Sequence, residues 1–224
     1  MVYAIVSSES EGWGSVHTIG LLVLSIALLI AFYILQKQKS EPLVPMSIFK
    51  VPNLSAGNIV MALLAAAWIP LWFFLNLYLQ QTLHYSAFNS GLALLPMTLA
   101  IMFLMVGVTG KLVAKFGFKS NMIVGLLALA GSLILFSLVP SDGTFVANVL
   151  PASLLGAVGM SLTYIPGTVA SMSGAKPEET GLASGLVNTS YQVGSALGLA
   201  IIVAISAART NALKMAGEVE AVAL

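Results

Sequence analysis

The sequence has very little charge. Only 8% of its 224 residues are Asp, Glu, Lys or Arg, 58% are hydrophobic, and the mean hydropathy is +0.99. A soluble domain carries about 25% charged residues, so this composition cannot supply a water-facing surface and indicates an integral membrane protein. A formal net charge of +1 gives no electrostatic attraction to nucleic acid, and no nucleic-acid partner is predicted.

Cysteine is absent, which excludes disulfides and thiolate chemistry. His17 and His84 lie far apart in the chain, and neither has a neighbouring carboxylate. No cluster of His with Asp, Glu or Ser occurs within the apolar runs. We therefore expect no metal, no cofactor and no enzymatic activity.

Long apolar runs are what the sequence does contain. A spanning helix needs about 20 mostly apolar residues, and by that rule the fold class is an all-α polytopic membrane protein. Six spans are predicted, at Thr18–Leu35, Ala56–Leu79, Phe88–Thr109, Asn121–Val139, Phe145–Ala170 and Leu182–Ala207.

The loops between these spans are asymmetric in charge. Lysines occupy one set of loops, whereas the loops near residues 80–86 and 140–144 carry no Lys or Arg. The positive-inside rule puts the lysine loops in the cytoplasm and both chain ends outside. Arg209 and Lys214 then lie on the outer side, against the rule, so we expect the chain to be a fragment or a truncated product of a longer membrane protein.

Three stretches resemble one family. Tyr78–Pro96, Gly181–Gly198 and the connector Glu41-Pro-Leu-Val-Pro45 resemble the fourteen-helix drug:proton antiporter branch of the major facilitator superfamily. The resemblance implies that Met1–Ser8 ends a seventh helix and that the six spans are helices eight to thirteen. It also implies that the proton-coupling carboxylates lie on absent N-terminal helices, since these spans offer no convincing ionisable residue at the midplane.

This register predicts a domain organisation. Residues 1–17 are the tail of a preceding helix and an outer loop, 18–36 a linker transmembrane helix, and 37–55 a cytoplasmic connector that lies along the membrane surface through Val44, Met46, Ile48 and Phe49. Residues 56–207 are five helices of an incomplete C-terminal transporter half, and 208–224 an outer-side tail.

Two segments are candidate gates. The stretch Gly110–Lys119 resembles the superfamily's cytoplasmic gating loop, although Ala114 stands where that pattern has Asp and Phe118 where it has Arg. In Gly181–Gly198, a small polar stripe is expected on one face and Val187, Tyr191, Gly194 and Gly198 on another. The predicted gating residues are Gly110, Lys111, Lys115, Gly117, Lys119, Gly181 and Gly185.

Candidate substrate contacts lie on three spans. Trp72, Asn76 and Gln80 recur every four residues, an aromatic and amide stripe that fits amphipathic cations, or else an interfacial aromatic belt with helix–helix hydrogen bonds. Asn188 and Gln192 fit either substrate contact or interhelical hydrogen bonding. Tyr164, beside Pro166, fits a kinked cavity-lining helix or plain packing.

These observations predict a multi-pass transporter of the bacterial cell membrane. Its partners are the lipid bilayer and an amphipathic small-molecule substrate, with protons supplied through the missing N-terminal half. The predicted function is proton-coupled efflux of drugs. The alternative is a non-transporting truncated membrane component that packs against a partner subunit.

Overall fold

The computed structural model describes residues 3–4, 12, 14–39, 42, 44–140 and 143–215, and within them the side chains of 46, 211, 214 and 215 are not described. The described chain is helical and contains no strand, which confirms the predicted fold class. The helices are α1 (Val16–Gln38), α2 (Leu54–Leu77), α3 (Ala87–Phe103), α4 (Thr109–Ser137), α5 (Leu150–Met172) and α6 (Thr180–Met215).

Short tighter or wider turns extend these helices. A π-helical turn at Tyr78–Thr82 continues α2, and another at Leu104–Val108 continues α3. A third, at Phe145–Val149, precedes α5. Among the residues that the structure describes, five continuous helical stretches are long and apolar enough to cross a bilayer. The longest, Ala87–Ser137, has 51 residues, roughly 75 Å of helix against about 30 Å of hydrocarbon. It is broken at Gly117, so it supplies two crossings.

The break at Gly117 has a backbone cause. Its φ of 76° and ψ of 171° belong to a region that essentially only glycine adopts. Helical geometry resumes directly after it, so α4 begins twelve residues before the predicted fourth span. The first eight residues of α4 form a short helical arm in front of the break.

Helix α5 lies at the centre of the bundle and packs against α2, α3, α4 and α6. Its contact with α4 is the most extensive in the molecule, because small residues let the two backbones approach. A Cβ on Gly159 would lie 2.6 Å from the Leu129 nitrogen, and Ser132 Oγ donates to the Ala152 carbonyl at 2.7 Å. Such small-residue interfaces are typical of helices packed in lipid.

Helix α1 stands apart from this bundle. It contributes no residue to the hydrophobic core of the described chain, and most of its apolar side chains are exposed. A lipid-facing surface accounts for that exposure. The role of α1 as a linker helix stays a prediction.

The connector differs from the prediction at two residues, because Val44 is partly buried against the core and Ile48 lies within it. Ile48 is completely buried in the core, within a 3₁₀ turn at Met46–Lys50, so it packs on protein and not on the membrane surface. The carbonyl of Pro52 and its ring also contact Gly174 closely. The prediction failed here because hydrophobicity alone does not distinguish a lipid contact from a protein contact.

Helices α2 and α6 run parallel and are joined by an interhelical hydrogen bond. Ser190 Oγ on α6 donates to Asn58 Oδ1 on α2 at 2.8 Å, across a sequence separation of 132 residues. Asn58 is buried, and its Nδ2 donates to the Leu54 carbonyl at 2.8 Å within its own helix. Both ends of the Asn58 amide are therefore bonded in the apolar interior.

The same offset of 132 residues recurs twice along the two helices. Gly194 packs on Ala62 and Gly198 on Ala66, so closely that a Cβ on either glycine would overlap the backbone of α2. Four-residue spacing keeps the three contacts on one face of each helix. We call Asn58, Ala62 and Ala66 with Ser190, Gly194 and Gly198 the α2–α6 seam.

Candidate functional site

Beyond the seam, the two helices frame an open groove. It is formed by residues of the segment 69–81 of α2 and its π-helical extension, together with Leu199 of α6, and its volume is about 400 Å³. Trp72, Asn76 and Gln80 all line it. The four-residue spacing identified in the sequence therefore corresponds to one surface feature.

The wall of the groove is aromatic. Trp72 and Phe73 line it, and Trp72 is half-buried. The buried indole of Trp68 meets Trp72 edge to face, with ring centroids 6.2 Å apart and an interplanar angle of 72°. Such edge-to-face pairs are favourable beyond their buried area, so Trp68 holds the Trp72 ring in place without lining the groove.

The polar groups of the groove are amides. Asn76 Nδ2 donates to the Trp72 carbonyl at 3.0 Å, which fixes the Asn76 side chain. Gln80 and Gln81 are both exposed at the end of the groove formed by the π-helical extension of α2. Amides offer donors and acceptors together, so the groove can pair with hydroxyl and carbonyl groups alike.

Two further predicted residues lie on the face of α6 that leads to the groove. Asn188 and Gln192 are exposed, and neither makes an interhelical hydrogen bond to any described residue. At about 100° per residue, Leu199 falls within about 20° of both around the helix. Asn188 and Gln192 thus share a face with the α6 wall of the groove, about three and two turns from Leu199 toward the N-terminal end of α6.

Tyr164 lies elsewhere. Its ring packs edge to face on Tyr191 of α6, with centroids 5.4 Å apart and an interplanar angle of 86°. Both tyrosines are half-buried against the hydrophobic core, and neither lines the groove. The structure therefore separates Tyr164 from the Trp72 group.

The predicted gating glycines of α6 are open. A Cβ at Gly181 or Gly185 would meet nothing within 4 Å, in contrast to Gly194 and Gly198. Of the two predicted faces of Gly181–Gly198, the one with Gly194 and Gly198 packs within the described chain. The face with Gly181 and Gly185 is uncovered there.

The other predicted gate is a lysine-rich loop. Gly110, Lys111, Lys115 and Lys119 are exposed, and Lys115 Nζ lies 5.1 Å from the centre of the Phe116 ring. The turn at Gly117 is held by a residue that sequence reasoning missed. Asn121, which is buried, donates from Nδ2 to the Leu112 carbonyl at 3.1 Å and to the Gly117 carbonyl at 2.6 Å.

Other contributors to the site were also missed. Gln81 and Leu199 line the groove, and Asn58 with Ser190 fixes the helices that frame it. Asn58, an Asn within an apolar span, could have predicted a contact with another helix, because an amide in lipid needs a hydrogen-bonding partner. Within the described residues, no group of three His, Cys, Asp or Glu side chains could hold a metal ion.

Comparison with known proteins relates the chain to a family of membrane transporters. A model of the Major Facilitator Superfamily matches residues 2–199. The tetracenomycin C resistance and export protein of Streptomyces glaucescens is 32% identical over 211 residues, 94% of this chain and 39% of the relative. The cephamycin export protein of Amycolatopsis lactamdurans is 29% identical, covering 94% of this chain and 44% of the relative.

A multidrug transporter protein of Bacillus subtilis is 25% identical over 92% of this chain and 38% of its own length. The chain therefore spans about two fifths of the length of these curated relatives. Whatever the remaining length contributes in them lies outside the region compared.

Proposed function

Because this chain belongs to the Major Facilitator Superfamily, we propose that it forms part of a transporter that exports amphipathic small molecules, antibiotics among them, across a bacterial cell membrane. The chain is a multi-pass membrane protein with helices suited to a lipid bilayer. Relatives named for the export of tetracenomycin C, cephamycin and multiple drugs support this substrate class.

The groove of α2 and α6 carries the proposal. Its aromatic wall at Trp72 and amide groups at Asn76 and Gln80 combine apolar area with hydrogen-bonding capacity. Ligand sites are mostly apolar concavities with a few placed polar groups, and this groove has that composition. An amphipathic compound would stack on Trp72 and bond to the amides.

The α2–α6 seam gives the groove a role in alternating access. Close backbone packing at Gly194 and Gly198 makes α2 and α6 a single rigid unit, so the groove keeps its shape while that unit moves. In transporters of this architecture two bundles rock about a central site. The open face at Gly181 and Gly185 is the surface that would meet the opposing bundle and close on the cytoplasmic side.

We propose that proton coupling comes from helices outside this chain. The described spans place their lysines at helix ends, where long side chains reach the interface. An intramembrane carboxylate is the usual coupling group, and α1 to α6 carry none within their described apolar segments. The chain by itself is therefore expected to bind substrate without pumping it.

The test is an accumulation assay on the complete gene product in bacterial cells, with membrane levels verified by immunoblot. Expression should lower the steady-state level of a fluorescent amphipathic compound, and Trp72→Ala should restore that level. Asn89→Ala, an exposed amide at the start of α3 outside the groove, is the matched control and should keep efflux. Unchanged accumulation across a chemically varied panel refutes transport, and efflux that survives collapse of the proton gradient refutes coupling.

The alternative function is a non-transporting component that packs against a partner subunit. The open Gly181 and Gly185 face is the observation that favours it. Expression of the 224-residue chain alone and as the complete gene product separates the two candidates. Efflux only from the complete product supports the transporter, whereas retention of a partner protein without efflux from either supports the component.

A further inference from the structure

We propose that the groove of α2 and α6 binds the uncharged, hydroxyl- and carbonyl-bearing aromatic part of a substrate, and that it disfavours organic cations. The inference rests on the proposed function, because it specifies the ligand class of the same groove. It departs from the expectation of cation binding at Trp72, Asn76 and Gln80.

The charges of the lining residues are the first reason. None of the residues that line the groove is ionisable, and its polar groups are the amides of Asn76, Gln80 and Gln81. A cation in the groove would be attracted by the faces of Trp72 and Phe73 and by the partial charges of the amide oxygens, with no formal negative charge to balance its own. A single aromatic face raises cation affinity by about thirtyfold when the cation is desolvated, and no ionisable residue of the lining adds to that attraction.

One loop that α2 contacts carries an acidic residue, Asp142, in its sequence. That loop, at residues 140–144, is contacted by Tyr78, whose hydroxyl donates to the Pro140 carbonyl at 2.9 Å. Around the helix, Tyr78 lies roughly 150° from the line of groove residues, on the opposite face of α2. Asp142 itself lies outside the described residues, so the experiment includes it.

The arrangement of donors and acceptors is the second reason. The Asn76 amide is oriented by its bond to the Trp72 carbonyl, which engages a donor and leaves the acceptor Oδ1 without a bond to any described residue. Gln80 and Gln81, being exposed, present both a carbonyl and an amino group. A flat ring system with hydroxyl and carbonyl substituents can stack on Trp72 while it pairs with both kinds of group. A quaternary ammonium offers these groups neither a hydrogen-bond donor nor an acceptor.

The test measures binding to the purified 224-residue chain in detergent micelles. Trp13→Phe leaves Trp68 and Trp72 as the remaining tryptophans, since the chain has three; Trp68 is kept because it packs against the Trp72 ring. Quenching of this tryptophan pair is titrated with two probes, an uncharged dihydroxyanthraquinone and the same ring system carrying a trimethylammonium arm. Free probe concentrations are corrected for micelle partition with protein-free micelles.

The uncharged probe should bind at least tenfold more tightly than the cationic one. Asn76→Leu and Gln80→Leu should each weaken binding of the uncharged probe about fivefold to tenfold, whereas Asn89→Leu should leave the affinity for both probes unchanged. Gln80→Glu adds a negative charge to the groove and should reduce or invert the preference for the uncharged probe over the cationic one. Asp142→Asn should leave that preference unchanged. Equal or tighter binding of the cation, a preference that depends on Asp142, or absence of quenching by both probes overturns the inference.

This binding assay does not depend on transport. If the groove shows the expected preference while the complete gene product exports neither probe from cells, the proposed function fails and the ligand class of the groove stands. If the cation is exported and the groove prefers it, the proposed function stands and the inference fails.

Discussion

Substituting Gly194 by Ala should destabilise the chain through the α2–α6 seam. The added Cβ would lie 2.6 Å from Ala62 Cα and 2.7 Å from Ala62 C, so the helices must separate by roughly 1 Å to reach ordinary contact distance. A gap of that size forfeits a quarter to a half of the dispersion attraction along the interface. Overpacking of this kind costs about 1–3 kcal/mol.

The separation also affects the neighbouring hydrogen bond. Ser190 Oγ and Asn58 Oδ1 are 2.8 Å apart, one helical turn from Gly194, and a further 1 Å breaks the bond, at about 0.6 kcal/mol for a bond within a membrane. Against these losses, Ala is a better helix former than Gly by up to about 1 kcal/mol. The net loss expected for Gly194→Ala is about 1–3 kcal/mol of unfolding free energy.

Gly185→Ala is the matched control. It gains the same helix propensity on the same helix, but its Cβ meets nothing within 4 Å. The two variants should therefore differ in unfolding free energy by about 2–4 kcal/mol. The measurement is an SDS titration of the chain in mixed micelles, followed by far-ultraviolet circular dichroism. Equal midpoints for Gly194→Ala and Gly185→Ala would refute the seam as described.

Three other predictions concern the two candidate gates. Gly117→Ala should destabilise the turn by about 1–3 kcal/mol because of its φ of 76°. The control is Gly110→Ala, at an open helical position, which should not destabilise the chain and should gain up to about 1 kcal/mol of helix propensity. Both variants are compared by thermal unfolding in micelles. Asn121→Ala removes the hydrogen bonds to the Leu112 and Gly117 carbonyls, which should lower the free energy of unfolding by about 1–3 kcal/mol. Amide hydrogen exchange across residues 110–120 should become faster. Ser120→Ala, at an exposed neighbouring position, should leave the exchange rates unchanged. Gly185→Leu should reduce efflux by the complete gene product more than Asn188→Ala, and the reverse order would make this face a binding site instead of a gate.

Much of the fold follows from the sequence, because the apolar runs are long and carry few charges. The predicted span limits agree with the helices to within a few residues except at two places. The helical arm of α4 before Gly117 is too polar to be recognised as part of a span, and α6 continues eight residues beyond the predicted end at Ala207. Leu112 and Lys115 nevertheless form helix in the arm of α4, since Asn121 closes the turn behind them. That stabilising bond spans nine residues and has no periodic signature.

The candidate site was predicted in part. Four-residue spacing suffices to put Trp72, Asn76 and Gln80 on one face, because a single helix determines it. Leu199 could not be predicted, because its position depends on how α2 and α6 pack. Likewise, both faces of Gly181–Gly198 are small, so only the positions of Ala62 and Ala66 decide which face is covered. The roles in transport assigned to these residues remain predictions.

The α2–α6 seam joins residues that are 132 positions apart, so it forms late during synthesis of the chain. At a synthesis rate of about 5–20 residues per second, α6 emerges from the ribosome roughly 7–26 s after α2. During that interval the face of α2 that carries Asn58 has no α6 to pack on. The bond from Asn58 Nδ2 to the Leu54 carbonyl is local to α2 and can form at once. Until α6 is made, the amino group of the Asn58 side chain is therefore already hydrogen-bonded within α2. Its Oδ1 gains a partner only when Ser190 arrives.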